Sequence, residues 1–181
     1  MKIPSWQQAR ELLDRFGVPE HIRAHCEKVA RVALFLGEAL NRSGESLRLD
    51  LLAAAGLLHD LTKHESLVTG ENHAFTAANR LYELGYPEVA AIVKEHIFLK
   101  PRPPSSPIDE AEVIYYADKR VMHDRIVSLK ERFADLLARY GKTEESRQRI
   151  KVQEEASFKL ERRIFSRLPF GPEEVAKLEK D

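Results

Sequence analysis

The sequence predicts an all-α protein, and three observations carry that expectation. Apolar residues recur at steps of three and four along nearly the whole chain, the period of helices that bury one face. No segment sustains the period-two alternation of β-branched residues that marks a strand. Glycines and prolines fall at helix-length intervals, among them Gly17, Pro19, Gly44, Gly70, Gly85, Pro87 and Gly141, where they stop or open helices.

A first short helix is expected from Ser5, whose hydroxyl can cap while Gln8 reaches back, to about Gly17. Pro19 opens the next, in which Ile22, Cys26, Val29, Ala33, Leu36 and Leu40 form one apolar row ending near Gly44. The stretch LDLLAAAGLL is apolar on every side up to His59, the signature of a helix surrounded by others. A polar break containing Gly70 precedes a helix from about Asn72 to Leu84, and Pro87 starts another that runs to about His96. The proline-rich KPRPPSSP segment is a loop. Asp109 and Glu112 stand at capping-box spacing before a helix through Ile114 and Asp118. An amphipathic helix through Ile126, Leu129, Phe133 and Leu137 then breaks at Gly141. A charged helix from about Thr143 to Arg167 and a short terminal one from Glu173 complete the chain.

At 181 residues the expectation is a single domain, 1–181, with its core over about 20–140 and the charged 141–181 region peripheral. The 29 basic and 29 acidic residues balance, which removes any global electrostatic case for a nucleic-acid or anionic-membrane partner. Cys26 is the only cysteine; it excludes an intrachain disulfide and a cysteine-based zinc site, and fits a reducing cytoplasm. The N-terminus lacks an apolar core of signal-peptide length, and no apolar run approaches the roughly 20 residues needed to span a bilayer. The expected location is cytoplasmic.

Certain polar residues fall on the apolar faces. His25 lies on the row of Val29, Val32 and Leu36; His96 follows Val89, Ile92 and Val93; Asp118 sits between Ile114 and Val121. Buried carboxylates and imidazoles need compensation, and a shared metal ion supplies it to all of them at once. His59 and Asp60 end the most apolar helix, where adjacent side chains about 100° apart can reach a common point. Two His and two Asp suit divalent manganese, iron, cobalt, nickel or magnesium. Each of these residues also has a plainer reading, as a core side chain satisfied by a neighbour's hydrogen bond.

The ordered pattern of His25 in HCEKVARVA, the His59-Asp60 dyad in AAAGLLHDLTK and Asp118 in VIYYADKRV resembles the HD superfamily of metal-dependent phosphohydrolases. The resemblance covers about residues 20–140 and implies an HD-type helical bundle. His73 and His96 match positions where binuclear members, including diadenosine tetraphosphate hydrolases of the YqeK type, place ligands for a second metal. By that analogy Asp60 bridges two ions. His123-Asp124, a second His-Asp dipeptide, lies off the apolar row and reads as a solvated pair. Gly85-Tyr86-Pro87 has the letters of the cyclic-dinucleotide phosphodiesterase signature but follows an unrelated helix, and reads as a turn.

The resemblance implies hydrolysis of a phosphate ester or anhydride in a nucleotide or other small phosphorylated molecule, with one or two divalent metals. Such a metal polarises a phosphoryl oxygen and acidifies a bound water. Asp60, Lys63 and Arg120 are the candidate catalytic residues, the two cations facing charge that grows on the phosphoryl oxygens, with Lys119 behind them. A solvated or ion-paired role for Lys63 and Arg120 stays open. A mononuclear site could recruit Glu65 or His64. The sequence leaves two other functions standing: diiron oxygen chemistry on the same scaffold, and a non-catalytic module with a structural metal that binds a partner through its charged helix. A homodimer is allowed but nothing requires it.

Overall fold

Local signals set most of the helix boundaries in the computed structural model, which describes residues 2–180. Ser5 and Gln8 form a capping box at the start of α1 (Trp6–Arg15). Pro19 precedes α2 (Glu20–Arg42), a helix of 23 residues. α3 (Leu49–Leu58) is buried nearly all round, as its uninterrupted apolar sequence requires. α5 (His73–Glu83) begins at the Asn72 cap, and α6 (Pro87–Val93) takes Pro87 at its first turn, where a missing N–H costs nothing. Asp109 and Glu112 box the start of α7 (Glu110–Lys119). Ser128 and Glu131 do the same for α8 (Leu129–Tyr140), and Thr143 caps α9 (Glu144–Phe165). A 3-10 segment, Pro172–Lys180, follows.

Among the described residues the protein is all-α apart from one short hairpin that the periodicity does not reveal. Val121–Met122 (β1) and Arg125–Ile126 (β2) pair antiparallel, two residues each, too short to leave an alternating pattern. Ile126, expected on the amphipathic helix, therefore lies in β2, and that helix starts three residues later. The expected polar break after the His-Asp dyad is instead a short helix, α4 (Lys63–Thr69), with no buried residue and hence no apolar row to announce it. The Pro87 helix stops at Val93 and His96 sits in the turn beyond it.

α2 and α3 cross at very close range. A Cβ on Gly56 would lie 2.6 Å from the Ala30 Cα, so only glycine lets the backbones meet there. That crossing brings the early turns of α2, which carry His25, beside the C-terminal end of α3, which carries His59. α7 packs on both helices. The apolar core runs from Ala9 to Val175 and includes Ile150, Leu160 and Ile164 of α9, so the charged C-terminal helix contributes one buried stripe to it. Among the described residues no helix is long and apolar enough to cross a membrane.

Candidate metal centre

The inward polar residues converge. His25 from α2, His59 and Asp60 at the end of α3, His73 at the start of α5, His96 after α6 and Asp118 from α7 meet around one point of the bundle. All are buried except the half-buried His73.

They fall into two groups of three. In the first, the Asp118 Oδ1 lies 3.1 Å from the His25 Nε2 and 3.5 Å from the His59 Nε2. In the second, the Asp60 Oδ1 lies 3.1 Å from the His73 Nε2 and 3.5 Å from the His96 Nε2, and the two imidazole nitrogens are 3.2 Å apart. Asp60 also faces the first group with its other oxygen, Oδ2 being 3.5 Å from the His59 Nε2 and 3.9 Å from the His25 Nε2. Ligand atoms around an ion with bonds near 2.1 Å stand about 3 to 3.5 Å from one another, and most of these separations fall in that range.

The hydrogen bonding also fits a cation. The Nδ1–H groups of His25, His59 and His96 donate to the carbonyl oxygens of His123, Gly56 and Val93 at 2.8, 2.7 and 2.7 Å. A carbonyl only accepts, so in each neutral ring the Nε2 carries the lone pair, aimed at the cluster. Facing carboxylate oxygens are acceptors too, and acceptor against acceptor needs a positive charge between them. The His59 Nε2 and Asp60 Oδ1 are fully buried and have no hydrogen-bond partner, a costly state unless a ligand is shared. Two His and one carboxylate in each group suit borderline divalent ions.

Charge on the side chains follows. Burial by itself raises Asp60, but Lys63 and His59 outweigh it and hold this carboxyl well below its ordinary range. Asp118 is likewise driven far down, burial being overcome by Lys119, His25 and His59. Burial opposes charge on His59, yet Asp60 and Asp118 raise it well above the usual imidazole value, so that without a metal ion a proton on this ring supplies the positive charge the facing carboxylates require. Burial wins at His96, which is lowered to about 4. Both carboxylates therefore stay ionised.

Two lysines border the cluster. The Lys63 Nζ donates to the Asp60 Oδ2 at 2.7 Å, and the Lys119 Nζ donates to the Asp118 Oδ2 at 2.6 Å and to the His96 carbonyl at 3.2 Å. Arg120 is not brought there. As the C-cap of α7 it points the other way, where its guanidinium donates to the Val127 carbonyl, the Tyr116 hydroxyl and the Pro172 carbonyl. The one-residue step, about 100° of helix, exchanges the expected order of Arg120 and Lys119. His123-Asp124 is exposed as expected, but the His123 backbone carbonyl is the support of His25. Tyr115 and Tyr116 are both core residues.

The cluster opens into a cavity of about 460 Å³, whose lining includes Lys63, Lys119 and, on the α8 side, Arg132, Leu136, Arg139 and Tyr140. The apolar row of α8 runs through Leu129 and Phe133, and Arg132 is buried beside them while Leu137 is exposed. A second cavity of about 460 Å³, lined mainly by apolar surface of the Lys100–Arg102 loop, α7 and α9, shares Ile97 and Gln153 with the first.

Helical architecture and this His/Asp constellation define an α-helical domain with two side-chain clusters that could hold metal ions. The HD-domain family model matches residues 22–122, and the chain belongs to that family. It is 28% identical over 144 residues to an uncharacterized protein of Methanocaldococcus jannaschii, covering 72% of this chain and 84% of that one. A crystal structure of a predicted HD superfamily hydrolase from an uncultured Thermotogales bacterium superposes over 89% of each chain at 20% identity and a TM-score of 0.46.

Proposed function

We propose that this chain is a metal-dependent phosphohydrolase that cleaves a phosphate ester or anhydride bond in a nucleotide or another small phosphorylated molecule, at a site for two divalent ions. One observation carries the reading: the Asp60 carboxylate is divided, one oxygen toward His25 and His59 and the other toward His73 and His96. In this reading His25, His59 and Asp118 would hold one ion and His73 and His96 another, with Asp60 in reach of both groups.

Divalent ions bound there supply Lewis acidity toward a phosphoryl oxygen and a water acidic enough to be a nucleophile near neutral pH. Histidine rings fixed by their Nδ1–H bonds keep their ligand nitrogens in place without rearrangement. The Lys63 ammonium stays charged, since Asp60 and Asp118 more than offset its burial, and it lines the cavity, where it would face charge growing on a phosphoryl oxygen. Lys119 neutralises Asp118 from the protein side, so the substrate's negative charge meets cations as well as carboxylates. Two His and one carboxylate also occur in iron oxygenases, but Lys63, Lys119, Arg132 and Arg139 line the cavity beside the carboxylates Asp60, Glu71 and Asp118, and divalent ions on the two aspartates would leave a positive balance that favours an anionic substrate.

The test is metal analysis of the purified protein followed by a screen of nucleotides, dinucleoside polyphosphates and simple phosphate esters with manganese, cobalt, nickel, iron and magnesium. Turnover lost in Asp60→Ala supports the reading. No phosphate release from any of these, with metal bound, sinks it.

A further inference from the structure

Arg132 stands apart from the other well-buried arginine of this molecule. Arg120 places its guanidinium against the Val127 and Pro172 carbonyls and the Tyr116 hydroxyl. Arg163, also largely covered, is bonded to the Glu112 carboxylate and to the Pro104 and Ser106 carbonyls. Arg132 is 8% exposed, yet among the described residues its side chain makes no hydrogen bond, and its Nε is buried without a partner. A guanidinium has five N–H donors and cannot shed its charge, so burying one unbonded is expensive unless a ligand arrives.

Its one acidic neighbour is already taken. The Asp135 Oδ2 accepts from the Arg139 Nη2 at 2.7 Å and from the Arg139 Nε at 3.0 Å, while the Arg132 Nη1 stays 3.6 Å away. Two guanidinium groups thus share one carboxylate oxygen, and Arg132 is the one in excess. It also lines the cavity that holds the metal ligands, on the α8 face that presents Leu136, Arg139 and Tyr140 to the same space.

We infer that Arg132 binds a second anionic group of the substrate, so that the cavity selects phosphorylated compounds carrying another oxyanion, a phosphate or a carboxylate, besides the group at the metal ligands. This rests on the phosphohydrolase reading for its substrate but not for its test, which needs binding alone. A planar fork of donors suits either oxyanion.

The experiment titrates orthophosphate, pyrophosphate and phosphonoacetate into metal-loaded and chelator-treated protein by calorimetry, for the wild type, Arg132→Met and Arg132→Lys. The wild type is expected to bind at least one of the two double anions tenfold or more tighter than orthophosphate. Preference for pyrophosphate alone identifies a second phosphate, and for phosphonoacetate alone a carboxylate. R132M brings the ratio to within about twofold of one, and R132K retains part of it. A wild type without preference, or an R132M protein that keeps it, overturns the inference. Should R132M fail to give a cooperative melt, R132K decides, by losing at least threefold of the preference or by keeping all of it. Absence of hydrolysis sinks the phosphohydrolase reading while leaving this ratio measurable.

Discussion

His25 donates its Nδ1–H to the carbonyl oxygen of His123, 98 residues further along the chain, at 2.8 Å. His123 is the only non-glycine residue with positive φ, +58°, among those described, and it sits in the turn of the β1–β2 hairpin. A left-handed residue on a two-residue loop aims that carbonyl back at α2. The hairpin thereby fixes the ring and tautomer of a candidate metal ligand. His123→Pro, whose ring forbids positive φ, is expected to weaken binding at the first metal position by roughly 10- to 100-fold. His123→Gly, which adopts that backbone freely, keeps it. Competition with a chromogenic chelator measures both, and equal affinity in the two variants contradicts the account.

Substitutions at Arg120 and Lys63 are expected to separate stability from turnover. Truncating Arg120→Met leaves the Tyr116 hydroxyl, the Val127 and Pro172 carbonyls and nearby Glu161 without their cation. The expected cost is about 3 kcal/mol in urea unfolding, with metal content unchanged. Lys63→Met is expected to lower turnover by about 10- to 100-fold with a much smaller effect on the urea midpoint. The reverse pattern would restore Arg120 as the catalytic cation.

His96 links pH to stability with a definite sign. Its folded-state value is lowered to about 4 from the ordinary 6.5, so between those values the unfolded chain binds a proton that the folded one refuses. Stability then rises with pH across the window and is lost on acidification, by about 3 kcal/mol over the whole interval. His59 is shifted the other way, but it is present in both proteins when the wild type is compared with His96→Gln. Urea melts in chelator between pH 6.5 and 4 should fall more steeply for the wild type; parallel curves would remove this group from the balance.

The crossing of α2 and α3 tests the scaffold. Gly56→Ala drives a methyl into the Ala30 backbone, which cannot turn aside, and is expected to cost about 1 to 3 kcal/mol. At Gly37 an added methyl meets the end of the Leu52 side chain instead, which can rotate, so Gly37→Ala should cost less. Because His25 and His59 are carried by the two crossing helices, G56A is also expected to loosen metal binding. Thermal melts with and without metal read both effects.

The fold was legible wherever a cap or an apolar row marked it. Ser5 with Gln8 and Asp109 with Glu112 announced their helices by spacing alone, and the rows through Val29 and Ile114 placed His25 and Asp118 inward. Two kinds of feature had no such mark. α4 buries nothing and the hairpin is two residues long on each side, so neither imprints a period on the sequence. The remaining differences are ones of rotation at helix ends. Lys119 and Arg120 are neighbours, and Arg120 is drawn away from the His/Asp cluster by partners that include the Pro172 carbonyl, more than 50 positions away. Arg132 likewise reads as an ordinary surface arginine until its surroundings show that, among the described residues, its side chain makes no hydrogen bond and that Arg139 holds the one carboxylate beside it.

The division of Asp60 between two sets of histidines is tested most directly by loading the protein with manganese and measuring bound metal together with its electron paramagnetic resonance spectrum. Two equivalents with a spin-coupled signal, falling to about one equivalent and a simple mononuclear spectrum in His96→Gln, is the predicted result. A single equivalent in the wild type, or two ions with no coupling between them, contradicts it.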